Sequence, residues 1–271
     1  MFSPATRVYL PVIQTTRDPM PRSLITGCSS GFGQAIAARF LDEGWEVIAT
    51  MRRPATEGLP ASDRLRILPL DVTQPQSIAA ALHEAGPIDA LVNNAGVGML
   101  NVLEGAEIDK VRELFDVNVL GTMSMTRAVL PAMRQRRAGV IVNISSSVTL
   151  RPLPALSIYS ASKAAVNAFT ESFALEAAGF GVRARLVLPG SAPETSFGKN
   201  AVARMGMDTP EAYGPFVQAY VQSLRNVTAK TSALNVAQAV WRAVTDPDAP
   251  MMLPAGADAE AMFRDTARSA A

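Results

Sequence analysis

The chain predicts a doubly wound α/β fold: one parallel sheet of about seven strands with helices on both faces. Three observations point there. Short apolar segments alternate with amphipathic stretches of helical length almost from Met20 to the end. A glycine-rich turn, Thr26-Gly27-Cys28-Ser29-Ser30-Gly31-Phe32-Gly33, joins the first strand to the first helix. No break in composition divides the 271 residues, so 20–271 reads as one domain.

In chain order, strands are expected at Ser23–Thr26, Glu46–Thr50, Arg66–Pro69, Ala90–Asn93, Val140–Ile144, Arg183–Leu188 and near Met251–Leu253. Helices are expected at Gly33–Glu43, Gln76–Glu84, Ile108–Arg136, Ile158–Ala178 and Leu234–Val244. Gly44, Gly86, Gly139 and Gly179-Phe180-Gly181 follow them, as left-handed caps should. Residues 1–19 read as a disordered extension or as an upstream start that is not the native one. The rhythm breaks over 189–233, rich in Gly, Pro, Thr, Met and aromatics, where a substrate lid is expected. Right-handed crossovers should place the ligand at the carboxyl ends of the strands, where strand order reverses.

Composition narrows the partners. A formal charge of +1 recommends neither nucleic acid nor an anionic membrane surface. The single cysteine, Cys28, excludes an internal disulfide and fits a reducing compartment, so a cytoplasmic location is expected. Within the glycine turn it reads as a small buried filler. His83 is the only histidine and reads as a surface residue, leaving no His- or Cys-rich metal site. No apolar run approaches the ~18 residues of a membrane span, and neither a signal peptide nor an anchor is expected.

Three clusters carry chemistry. Glycines in the 26–33 turn let backbone approach a ligand closely, and the following helix offers unpaired N–H groups to a diphosphate. At the end of the second strand stands Ala49-Thr50-Met51-Arg52-Arg53, with no acid to hold a ribose 2′-hydroxyl. Arg52 and Arg53 can instead fork onto a 2′-phosphate, which favours NADP(H) over NAD(H). Tyr159 and Lys163 stand four residues apart, on one helical face. A neighbouring cation is expected to lower the phenol from its usual value near ~10, tuning it for proton exchange with an alcohol or carbonyl oxygen.

Together these motifs resemble the short-chain dehydrogenase/reductase family, in its single-domain, Rossmann-like branch, from about Met20 to Leu253. Thr26–Gly33 is similar to the family's cofactor loop, so the resemblance assigns Gly27, Ser29, Ser30, Gly31, Phe32 and Gly33 to cofactor binding. It adds Asp71 and Val72 as an adenine-contacting pair, Asn94, Ala95 and Gly96 beside the cofactor, and Pro189 and Gly190 after the sixth strand. Asn118 matches the family's helix asparagine, and Ser146, thirteen positions before Tyr159, its catalytic serine. The resemblance implies that Tyr159 exchanges a proton with the substrate oxygen and that Ser146 hydrogen-bonds that oxygen. It implies that Lys163 lowers the phenol pKa and holds the nicotinamide ribose, and that Asn118 holds a relay water. One segment departs from the pattern: Pro189-Gly190-Ser191-Ala192-Pro193-Glu194-Thr195 carries its threonine one residue late.

The lid residues Phe197, Met205, Met207, Tyr213, Phe216 and Tyr220, with Met99, Leu100 and Leu153, suggest an apolar wall. The expected substrate is a hydrophobic ketone, aldehyde or secondary alcohol. Apolar residues on more than one face of 108–136 and 158–178 fit helix pairing into a homodimer or homotetramer. The competing reading is a catalytically silent, NADP(H)-sensing protein of the same fold; an epimerase or dehydratase would need a sugar-nucleotide domain for which the chain has no room.

Overall fold

The computed structural model describes residues 20–195, 210–225 and 230–269. Seven strands form its sheet: β1 (Arg22–Thr26), β2 (Glu46–Met51), β3 (Leu65–Pro69), β4 (Ala90–Asn93), β5 (Gly139–Ile144), β6 (Val182–Pro189) and β7 (Met252–Ala255). All pairings are parallel, in the order β3-β2-β1-β4-β5-β6-β7. The chain therefore winds outward from β1 to β3, returns to the centre at β4 and winds the other way. The order reverses between β1 and β4, and a crevice at their carboxyl ends follows from that topology.

The helices are α1 (Phe32–Asp42), α2 (Pro75–Ala85), α3 (Ile108–Phe115), α4 (Gly121–Arg136), α5 (Ser157–Ala178), α6 (Gly214–Arg225), α7 (Ala233–Thr245) and α8 (Ala257–Ser269). Two expectations need correction. The stretch 108–136 is not one regular helix, because Asp116–Leu120 widens into a π turn between α3 and α4. The left-handed position after α4 is taken by Arg137, φ 51°, while Gly139 is close to extended and Gly179 is right-handed. Gly44, Gly86 and Gly181 do take positive φ. Helices α6 and α8 lie where no helix was expected. The expected extension 1–19 falls outside the described residues, as do Phe197, Met205 and Met207 of the expected lid.

Side chains alternate across each strand, so the sheet has two different faces. Ile25, Val47, Val92 and Val142 pack with Ile36, Phe40, Val236 and Val240 of α1 and α7. There Phe40 meets Trp45 and Trp241 edge to face, with ring centroids 5.1 and 5.2 Å away. Leu24, Ile48, Leu91 and Ile141 face α2, α4 and α5 through Ile78, Met125, Val129 and Phe173. Toward the carboxyl ends that second face turns polar. Asn93 donates to Asn143 Oδ1 (2.8 Å) and Thr126 Oγ1 (3.2 Å), and Asn143 donates to Thr170 Oγ1 (2.8 Å). Ser145 follows on the same face, donating to Asn167 Oδ1 at 2.5 Å.

Candidate active site

The crevice begins at the glycine turn. Thr26 ends β1, and its hydroxyl oxygen accepts from the backbone N–H groups of Asn94 and Ala95, both at 2.9 Å. The Asn94 amide donates to Thr26 O (2.8 Å) and Gly27 O (3.1 Å), clamping the turn to the segment after β4. Side chains are excluded here. A Cβ on Gly27 would lie 2.8 Å from Ala95 Cα, and one on Gly33 would lie 2.4 Å from Gly27 O. Gly31 caps α1 with φ 61°, and no side chain bonds to the first turn. The exposed N–H groups and positive dipole end of α1 thus suit an anion in close contact with backbone. Ser29 is exposed and Ser30 half-buried, whereas the Phe32 ring packs onto the α1/α7 core. Cys28 is fully buried, and burial pushes its thiol up to about 12, so it behaves as an inert filler.

Arg52 and Arg53 follow β2 and are exposed. The Gln34 amide spans from the glycine turn to their loop, donating to Ser29 O (3.3 Å) and Glu57 O (2.8 Å). Val72 is buried against Gly121, while the Asp71 carboxylate accepts from Thr73 N–H (2.9 Å) and Thr73 O–H (2.7 Å). The carboxylate of Asp71 is thereby committed to its own turn.

The other wall is made by β5, α5 and the π turn. Ser146 follows β5 in extended conformation, accepts from Val148 N–H at 3.3 Å and hydrogen-bonds Tyr159. Tyr159 and Lys163 are both buried on one face of α5, with the ammonium 5.9 Å from the phenol ring centroid. Lys163 donates to Ile144 O at 2.9 Å. The π turn brings Asn118 to the same place: Oδ1 accepts from Val97 N–H (2.8 Å), and Nδ2 donates to Val97 O (2.9 Å) and Ser162 Oγ (3.2 Å). Gly96 joins the walls, since a Cβ there would lie 3.3 Å from Asn118 Oδ1 and 3.6 Å from Lys163 Nζ.

Burial overturns the electrostatic expectation for the pair. The Tyr159 phenol sits above its ordinary value because desolvation opposes the phenolate; the Ser146 hydrogen bond pulls it only partly back. Desolvation also brings Lys163 down to about 8. Ring and ammonium are removed from water together, so each charged form is penalised, and the cation does not dominate the phenol.

The sequence reading did not single out Ser162, and it quoted Thr26 and Thr195 without foreseeing what they touch. Thr26 organises the cofactor-side turn, Ser162 links Asn118 to the Tyr159 carbonyl (2.8 Å), and Thr195 lies over Gly31. A Cβ on Gly31 would approach Thr195 Cβ to 3.3 Å, so the late threonine of the departing segment still closes onto the glycine turn. Pro189 is buried at the end of β6, and Gly190 follows it. Around the phenol, Met99, Leu114, Ile158 and Tyr159 form one apolar cluster. Tyr213, just before α6, hydrogen-bonds Glu104, and Tyr220 of α6 lies near Arg151. Among the described residues no helix is long and apolar enough to cross a membrane, and no cluster of His, Cys, Asp or Glu is arranged to hold a metal ion.

Residues 22–205 match the family model described as short chain dehydrogenase, and the chain belongs to that family. Retinol dehydrogenase 8 of Homo sapiens is 33% identical over 250 residues, covering 85% of this chain and 80% of that protein. The 3-ketodihydrosphingosine reductase of Bacteroides thetaiotaomicron is 40% identical over 171 residues, covering 62% of each. The chain spans between 59% and 64% of the length of the first three curated relatives it matches. Among solved structures, a short-chain dehydrogenase from Streptomyces avermitilis superposes with a TM-score of 0.78 at 32% identity, covering 94% of both chains. A serine dehydrogenase complexed with NADP+ gives 0.74 at 30% identity over 87% of this chain and 94% of that one. A 3-ketoacyl-(acyl-carrier-protein) reductase from Brucella melitensis complexed with NADH gives 0.71 at 25% identity, covering 86% and 96%.

Proposed function

We propose that the protein moves a hydride between NADP(H) and a hydrophobic ketone, aldehyde or secondary alcohol, with Tyr159 as general acid/base. One observation carries this reading: Ser146, Tyr159, Lys163 and Asn118 converge across Gly96 from the glycine turn, at the carboxyl ends of β4 and β5. When bound, the nicotinamide supplies or accepts the hydride.

The protein's own residues do the rest. Backbone N–H groups of the Gly27–Gly33 turn and the first turn of α1 hold the diphosphate. Arg52 and Arg53 hold the 2′-phosphate, supported by the absence of an acid at the end of β2. Val72 and the backbone of Asp71 line the adenine side, while Asn94, Ala95 and Gly96 form the floor. Pro189 and Gly190 approach the nicotinamide. Ser146 orients the substrate oxygen beside Tyr159. A phenol kept protonated by burial is suited to donating its proton to the alkoxide that forms on carbonyl reduction. Lys163 then restrains the transient phenolate with its charge and holds the ribose hydroxyls, and Asn118 fixes a water leading from Lys163 to solvent.

The apolar cluster around Tyr159 supports a hydrophobic substrate, as do relatives named for retinol and 3-ketodihydrosphingosine. Leu120 and Leu175, 53% and 82% exposed near α4 and on α5, support pairing of two copies through these helices. Light scattering that found only monomers at micromolar concentration would exclude that pairing. A cytoplasmic location rests on the lone cysteine alone.

The test is a cofactor-depletion screen of aliphatic and aromatic carbonyls with NADPH and NADH in parallel. Turnover of apolar ketones with NADPH ahead of NADH is expected. Cofactor binding without turnover of any carbonyl would favour the silent sensor, and preference for small charged acids would overturn the substrate class.

A further inference from the structure

The C-terminal helix α8 carries a buried acid that the reaction described above does not use. Asp258, in its first turn, is 6% exposed and lies under the segment leaving β6. Its Oδ2 accepts from Ser191 N–H at 2.6 Å, and its Oδ1 lies 2.7 Å from the Thr231 hydroxyl, whose proton it shares with Ala255 O at 2.8 Å. The Thr231 oxygen in turn accepts from Gly190 N–H at 3.0 Å, and Thr231 N–H donates to Ser191 O at 2.8 Å. One carboxylate thus ties the Gly190–Ser191 turn to Thr231, which lies far along the chain.

The packing leaves little slack. A Cβ on Gly190 would fall 2.2 Å from either Asp258 oxygen, and one on Gly256 would fall 2.1 Å from Thr231 Oγ1. Backbone approaches the carboxylate where no other residue type fits. Beyond Ser191 the chain turns once: Thr195 N–H and O–H both reach Ala192 O, at 3.1 and 2.9 Å. Thr195, 8% exposed, then rests on Gly31 of the glycine turn. Farther along α8, the Thr266 hydroxyl lies between Met262 O (2.9 Å) and Leu150 O (3.1 Å), the latter on the turn that begins at Ser146. The helix accordingly touches supports of both walls of the crevice.

We propose that Asp258 is a positioning residue for the oxidoreductase reaction: its carboxylate sets the Gly190–Ser191 turn against Thr231, and through Thr195 the register of that turn over the glycine loop. This rests on the reading that the turn after β6 faces the nicotinamide. The carboxylate touches neither substrate nor cofactor. It acts on geometry, and a displacement of about 1 Å at such a distance can lower a rate by roughly 10²-fold.

The experiment has two arms. In the first, amide hydrogen exchange is measured on the cofactor-free protein for Gly190, Ser191 and Thr231. Asp258→Asn and the shape-keeping Thr231→Val should each lose at least about tenfold protection at these amides, since Ser191 N–H bonds Asp258, Gly190 N–H bonds the Thr231 hydroxyl and Thr231 N–H bonds Ser191 O in one linked network. In the second, kcat for an apolar ketone should fall about 10- to 100-fold in Asp258→Asn, with the dissociation constant for NADPH within about threefold, because the diphosphate and adenine ends bind elsewhere. The isotope effect with nicotinamide deuterated at C4 should rise as the chemical step becomes limiting. Glu260→Gln, on the exposed side of the same helix, should change none of these. Loss of protection with an unchanged kcat and isotope effect would reduce Asp258 to a purely structural role and overturn the proposal. Unchanged protection would overturn it too. Wild-type protein that turns over no carbonyl would instead sink the functional reading, and the exchange arm separates the two failures. Should Asp258→Asn not fold, Thr231→Val carries both arms.

Discussion

The two faces of the sheet are built for different work. The α1/α7 face is an unbroken apolar core, closed by Phe40, Trp45 and Trp241 edge to face. The α4/α5 face begins the same way, with Leu24, Leu91 and Ile141, and then carries two sets of hydrogen bonds, Asn93–Asn143–Thr170 and Ser145–Asn167. The second set sits beside Lys163, whose carbonyl oxygen lies 3.4 Å from Ser145 Oγ. Apolar packing stabilises without specifying direction. Hydrogen bonds between buried amides and hydroxyls fix orientation and are costly to leave unmade. The face behind the glycine turn holds the fold together, and the face behind Tyr159 also aims side chains.

Substitutions should separate along that line. The largest effect on turnover apart from Tyr159 itself is expected for Lys163→Met, which should lower kcat/KM by about 10²–10³ with an unfolding midpoint at or above that of the wild type. Its pH profile sharpens the point. With Lys163 held down to about 8, wild-type kcat/KM should fall as pH rises past that value, and the variant should lack the step. The stability sign runs the other way. The unfolded chain binds this proton up to about 10.5 and the folded chain only to about 8, so the folded state is stabilised as pH rises between them. The stability difference between Lys163→Met and wild type should narrow over that window; a flat difference in chemical denaturation would contradict the buried ammonium.

Phe40→Ala should do the reverse. Emptying a fully buried aromatic site is expected to lower unfolding free energy by about 3–5 kcal/mol, while kcat per folded molecule stays within about twofold. A large loss of kcat with unchanged stability would erase the distinction between the faces. The smallest effect is expected at the rim. Arg52→Ala should raise the dissociation constant for NADPH about tenfold, from loss of one charge-assisted contact, and that for NADH much less. Equal effects in titrations of both cofactors would remove the 2′-phosphate assignment.

How much of this was legible in the sequence depended on burial pattern. Ala90–Asn93 reads as a strand and is one, because a fully buried parallel strand is a continuous apolar run. Thr26 to Gly33 and Tyr159 to Lys163 are local motifs, and spacing alone brings their members together. Helix α8 had no such signal. Among the described residues its deeply buried positions are Asp258 and Ala259, an acid and a small residue, and the half-buried Met262 and Phe263 extend the apolar spacing by a single turn. Helix α6 covers the surface loops with residues only partly buried, such as Tyr213 and Tyr220 beside it and within it. The π turn at Asp116–Leu120 keeps the composition of a helix and changes only its hydrogen bonding, which periodicity does not register. The titration of Tyr159 was misjudged for a related reason: spacing locates the cation, but only the folded structure shows that phenol and ammonium are desolvated together.

The central claim is that the Tyr159 phenol, protonated and aimed by Ser146, is the proton donor to a carbonyl oxygen. Single-turnover reduction of an apolar ketone by NADPH-loaded protein tests it, comparing wild type with Tyr159→Phe and measuring NADPH affinity separately. The account predicts that the rate falls by at least about 10³ while affinity changes by less than about threefold. A Tyr159→Phe rate within tenfold of wild type, at unchanged affinity, would contradict it.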